Sequence, residues 1–144
     1  MFRRILVPVD GTKGSETVIP YAAGLAGALD AEVVLCHVMT APRAAGSSGQ
    51  QPEADRYLNK VAKRFKPDGV AVKNHVRRGD PAVEIKKAAL DWGVDVIVMA
   101  TRSRRRVEKL MLGSVADVVV RDSRLPVLLV SSRRQLKQAS RRAA

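Results

Sequence analysis

Two hydrophobic periods alternate along this chain, and that alternation constrains the fold more than any single residue does. Short runs rich in β-branched residues occur at 5–9, 32–39, 70–76, 94–100 and 126–130. Between them, apolar residues recur at helical spacing. One stripe is Val18, Ala22, Leu25 and Leu29, and a second is Leu58, Val61, Ala62 and Phe65. A third is Ile85, Ala88, Ala89 and Trp92, and a fourth is Leu112, Val115, Ala116 and Val119. Strands that are apolar throughout are covered on both faces, and strand–helix alternation builds βαβ crossovers. The expected fold is therefore α/β: one doubly wound, five-stranded parallel sheet with helices on both faces.

The punctuation fits that plan. Asp10-Gly11-Thr12 ends the first strand with turn chemistry, and Ser15 is the expected cap of the first helix, whose early turn contains Pro20. Residues 40–51, rich in Ala, Gly, Ser and Pro, read as a loop. Asp80-Pro81 predicts a helix start, with a carboxylate cap followed by a proline at the first helical position. Gly93 ends that helix, and Ser114-x-x-Asp117 resembles a capping box. A length of 144 residues suits one domain, assigned to 1–131, with a basic tail at 132–144.

The net charge of +12 is concentrated. Residues 101–109 carry a net of +4 and residues 131–144 a net of +5, which leaves +3 for the other 121 residues. The domain body is nearly neutral, and the basicity of one loop and one tail suggests an anion site or a phosphate-seeking appendage. The lone Cys36 can form neither an intrachain disulfide nor a thiolate metal cage. No apolar run approaches the length of a bilayer crossing and no secretory leader is visible, so a cytoplasmic setting away from membranes is expected.

Ligands of open α/β sheets bind beyond the carboxyl ends of the strands, where strand order reverses. That rule brings Pro8, Val9 and Asp10 to the candidate surface, with Val38, Met39, Met99, Ala100 and the loop carrying Arg102 and Ser103. Gly113 and Ser114, at the start of the fourth helix, could add free amides and a hydroxyl for phosphate. Structural readings stand beside these functional ones. Asp10 could simply stitch the turn after its strand, and His37 reads as a satisfied sheet histidine. Cys36 reads as a small buried hydrophobe, and Met39, Met99 and Met111 as core filler. The arginine loop is a solvated segment, a nucleotide clamp, or a contact for nucleic acid or a protein partner. No aromatic interleaves the basic segments and no helix-turn-helix or zinc-finger spacing occurs, so only salt-sensitive, nonspecific attraction to nucleic acid is expected. No Gly-x-Ser-x-Gly elbow, His-Glu-x-x-His or phosphate-loop motif is present, and Val76-Arg77-Arg78 stands where a receiver domain would need an aspartate. An enzyme is not expected.

Residues 5–11, Gly79-Asp80-Pro81, 94–101, 112–116 and 126–130, in this order and spacing, resemble the universal stress protein family over about residues 2 to 131. The resemblance implies strand order 3-2-1-4-5, a homodimer and, in one branch, a bound adenine nucleotide such as ATP or AMP, with Mg2+ as an accompanying cation. That branch carries Gly-x2-Gly-x9-Gly-Ser/Thr after the fourth strand. Here the positions are Ala100, Ser103, Gly113 and Ser114, so the spacing is intact and the first two glycines are replaced. By the same resemblance, Asp10 and the Val38 backbone lie near adenine and ribose. Met99 to Ser103, including Arg102, lie with Gly113 and Ser114 near ribose and phosphates. The implied function is a non-catalytic stress-response regulator. The alternative is a dimeric interaction protein of the same fold without nucleotide, acting through its basic loop and tail. In that strand order the last strand is an edge, and Val127, Leu128, Leu129 and Val130 would pair with a second copy.

Overall fold

The structure, a computed structural model, describes residues 1–40, 50–101 and 114–131. The elements in chain order are β1 (Arg4–Pro8), α1 (Lys13–Glu16), α2 (Ile19–Leu29), β2 (Glu32–Met39) and α3 (Gln50–Ala62). A 3₁₀ turn (Lys63–Asp68) follows, then β3 (Val72–Arg78), α4 (Pro81–Asp91), β4 (Val96–Thr101), α5 (Ser114–Asp122) and β5 (Val127–Ser131). The five strands form one parallel sheet in the order β3-β2-β1-β4-β5.

Strand alternation divides the core in two. Ile5, Val7, Val33, Leu35, Val96 and Val98 face α2 and α3, where Ile19, Ala22, Leu58, Val61 and Phe65 close the layer. Leu6, Val34, Cys36, Ile97 and Met99 face α4 and α5, against Ile85, Ala88, Ala116 and Val119. Phe65 is fully buried, and its replacement by alanine would cost about 3–5 kcal/mol.

Local chemistry sets the boundaries, with some departures from the sequence reading. Thr12 caps α1 by accepting from the Ser15 amide, so Ser15 is the capped residue and not the cap. Pro20 splits the first helical stretch in two. It is accommodated in the first turn of α2, where its missing N–H leaves no partner unsatisfied. The buried face of α2 is Ile19, Ala22, Ala23 and Ala26, and Leu29 is exposed. Gln50 and Gln51 belong to α3, not to the preceding loop. Asp80 caps α4 with its carboxylate 3.1 Å from the Val83 amide, and Pro81 opens the helix, as expected. Gly93 follows α4 with a φ of 59°, the left-handed turn that favours glycine. Asp117 accepts from Arg121 at 2.6 Å one turn along α5. Met111, Leu112 and the basic tail lie outside the described residues. Among the described residues no helix is long and apolar enough to cross a membrane.

Candidate functional site

The strands part at the centre of the sheet. β1 pairs with β2 over five registers and β4 with β5 over five, whereas β1 and β4 share only Ile5↔Val96 and Leu6↔Ile97. Beyond Leu6 the two central strands separate, which is where an α/β sheet whose order reverses opens a crevice. A cavity of about 820 Å³ lies at these carboxyl ends, within the range of about 300–1,000 Å³ that holds small ligands.

Pro8, Val9, Asp10, Val38, Met39, Met99 and Ala100, singled out from the sequence, all line this cavity. Arg102, Ser103 and Gly113 fall outside the described residues. Ser114 opens α5, and the next two residues, Val115 and Ala116, reach the cavity wall. The sequence reading missed the rest of the lining. Thr12 and Ser15 come from the first turn, Gln50, Glu53, Ala54 and Tyr57 from α3, and Pro81 and Ile85 from α4. The spacing Gln50, Glu53, Ala54, Tyr57 is itself one helical face, a signal that the preceding loop concealed.

Val9, Cys36, Val38, Ile85, Met99 and Ala100 give the cavity an apolar side. Cys36 is buried, and desolvation pushes its thiol up to about 12, so it acts here as packing and not as a nucleophile. Asp10 supplies a carboxylate at the end of β1, and Glu53 a second from α3. Asp10 Oδ1 accepts from the Thr12 amide at 2.9 Å and the Thr12 hydroxyl at 2.6 Å, while the Asp10 amide donates to Ser15 Oγ at 3.1 Å. Asp10 therefore stitches the turn after its strand, and the same residue lines the cavity.

His37 and Tyr57 hold this turn from the side. His37 Nδ1 lies 2.9 Å from the Val9 carbonyl. Because a carbonyl only accepts, Nδ1 carries a proton and donates it there. His37 is a satisfied histidine, as read, yet it also belongs to the cavity wall. Tyr57 meets it edge to face at 5.5 Å between ring centroids. The Tyr57 hydroxyl accepts from the Gly11 amide at 3.0 Å and donates to Glu16 Oε2 at 2.9 Å. Burial and the Glu16 carboxylate raise the Tyr57 pKa above its ordinary value. Gly11 has a φ of 88°, which permits the tight turn. His75 is not part of the cavity wall. It packs on Trp92 and Arg77, and its pKa is lowered by burial and by that guanidinium.

The chain matches the family model of the universal stress protein family over residues 1–131. A universal stress protein of Methanocaldococcus jannaschii is 30% identical over 140 residues, covering 90% of this chain and 82% of the relative. Among solved structures, a universal stress protein in complex with cAMP matches with a TM-score of 0.74 at 21% identity, covering 91% of this chain and 98% of that one. The universal stress protein from Archaeoglobus fulgidus in complex with dAMP matches with a TM-score of 0.71 at 19% identity, again covering 91% and 98%. At these identities the structural likeness is one of fold.

Proposed function

The chain belongs to the universal stress protein family, and from that premise we propose that its cavity holds an adenine nucleotide, ATP or AMP. In this reading the protein is a non-catalytic stress-response regulator, whose occupied and empty states present different surfaces to a protein partner. The observation that carries the proposal is the cavity of about 820 Å³ where β1 and β4 part, with an apolar side and the Asp10 carboxylate in one wall. Apolar Val38, Met99 and Ala100 suit a purine face, and Asp10 suits ribose hydroxyls. The amino ends of α4 and α5 border the same space and favour an anion there. Fold neighbours in complex with cAMP and dAMP support the same ligand class. Arg102, Ser103, Gly113 and Ser114 would complete the phosphate side. Among the described residues no group of three or more His, Cys, Asp or Glu side chains could hold a metal ion, and in this reading Mg2+ accompanies the nucleotide phosphates.

The test is calorimetry with ATP and with AMP on full-length chain stripped of carried-over ligand. Saturable heat that disappears in Ala100→Phe, which places a ring at the cavity wall, supports the proposal. A chain that stays folded and binds neither nucleotide refutes it. We further propose that two copies pair through β5, an edge of the sheet with Leu128 42% exposed. Val130 is 8% exposed and belongs to the core, so Leu128→Lys is the cleaner probe, and an unchanged sedimentation coefficient would contradict that interface.

A further inference from the structure

We infer that the outward face of α3 is a docking surface for the phosphate backbone of duplex nucleic acid, separate from the cavity. The near-neutral body hides a strong asymmetry. Residues 56–78 carry eight cationic side chains against Asp68 alone, a net of +7, so the remainder of the 121-residue body carries −4. Three of those cations serve the fold: Arg64 pairs with Glu16, Arg77 pairs with Glu84 and Asp91, and Arg78 donates to Gln50. Arg56, Lys60, Lys63 and Lys66 are exposed and make no ion pair among the described residues.

Their arrangement follows from the helix. Ala54, Leu58 and Val61 form the buried side of α3. Arg56 and Lys60 fall on the opposite side, and Lys63, the first residue of the 3₁₀ turn that follows, continues the line as a stripe about 10 Å long. Glu53 and Asp55 precede the stripe, and Asp55 accepts from Gln51 at 3.3 Å. Asn74 of β3 donates to Asn59 of α3 at 2.8 Å, so the helix bearing the stripe is fixed to the sheet edge. The composition selects the partner. Protein interfaces are depleted in lysine and centre on buried aromatic or apolar anchors. None of the exposed large apolar residues lies on this part of α3, which also removes the wedge a lipid surface would need. A lysine-rich stripe without apolar or stacking groups fits an array of phosphates, read without base specificity.

The experiment is fluorescence anisotropy of a labelled random-sequence duplex with the full chain, titrated with salt. The comparison proteins are R56Q/K60Q/K63Q, K63Q/K66Q, and a full-length chain with Arg133, Arg134, Lys137, Arg141 and Arg142 changed to glutamine. Each phosphate neutralised contributes about 0.9 to the slope of log affinity against log salt. The triple variant should therefore flatten the slope by about 2.7, and the double variant by about 1.8. Between about 50 and about 200 mM salt, the triple variant should lose about fortyfold less affinity than the unaltered chain does. The tail variant should retain the α3 share of the slope. An unchanged slope in both α3 variants with binding abolished in the tail variant would overturn the inference. So would the absence of duplex binding at about 50 mM salt, or stronger binding to anionic vesicles than to duplex.

Discussion

Replacing Tyr57 by phenylalanine isolates one oxygen that joins α3 to the turn bearing Asp10. The ring remains and still packs edge to face on His37. What disappears is the hydrogen bond accepted from the Gly11 amide and the one donated to Glu16. A hydrogen bond to a charged group contributes about 1.5–3 kcal/mol and a neutral one about 1 kcal/mol. Both take a discount here, because Gly11 is exposed and Glu16 keeps Arg64 at 3.0 Å. The expected loss is about 1.5–2 kcal/mol, a fall in Tm of roughly 3–8 °C for a chain of this size. The pH dependence adds a second signature. The folded-state pKa of Tyr57 lies above the ordinary 10.0, because burial and Glu16 oppose its ionisation. Its contribution is therefore fully present below pH 10 and shrinks as pH rises past it. The stability gap between wild type and Tyr57→Phe should be constant from neutrality to about pH 10 and narrow above it. Denaturant melts across that range measure both. Equal stability at neutral pH, or a gap that widens in alkali, would refute the reasoning.

Asp95 accepts from the Arg3 and Arg4 amides at 2.8 and 3.0 Å, and those amides hold its carboxyl below the usual range. Its stabilisation should be complete above about pH 4 and be lost as pH falls toward the lowered folded-state value, so Asp95→Asn should cost about 1–2 kcal/mol at pH 7 and soften the acid transition. Glu84→Gln removes the more buried of the two carboxylates that lie 2.7 Å from the Arg77 guanidinium, itself 17% exposed, and should cost about 2 kcal/mol in thermal melts, while Asp91→Asn, at the more exposed carboxylate, costs less. Native Cys36 should resist alkylation at neutral pH and react at the rate of unfolding, and rapid labelling of folded protein would contradict its burial.

The sheet and its coverage were legible because both periods are strong, and because Asp80-Pro81 and Gly93 punctuate with unambiguous chemistry. The α1–α2 break was less so. Thr12 and Ser15 both have capping side chains, and only the Thr12 hydroxyl accepts from an amide of α1. Leu29 was misplaced because counting large apolar residues passes over the small buried face of Ile19, Ala22, Ala23 and Ala26. On the cavity, the strand-end rule found Pro8, Val9, Asp10, Val38, Met39, Met99 and Ala100. It has no means of finding Glu53 or Tyr57, which reach the site from a helix start hidden behind a featureless loop. Net charge also concealed its own distribution, since the +7 of residues 56–78 was cancelled on paper by acids elsewhere in the body.

The most direct measurement is the amide chemical-shift map of the full chain titrated with AMP. Saturating shifts are expected at Val9, Asp10, Val38 and Ala100, with Arg56, Lys60 and Lys63 unmoved. Shifts confined to the α3 stripe, or none at the ends of β1, β2 and β4, would contradict a nucleotide in the cavity.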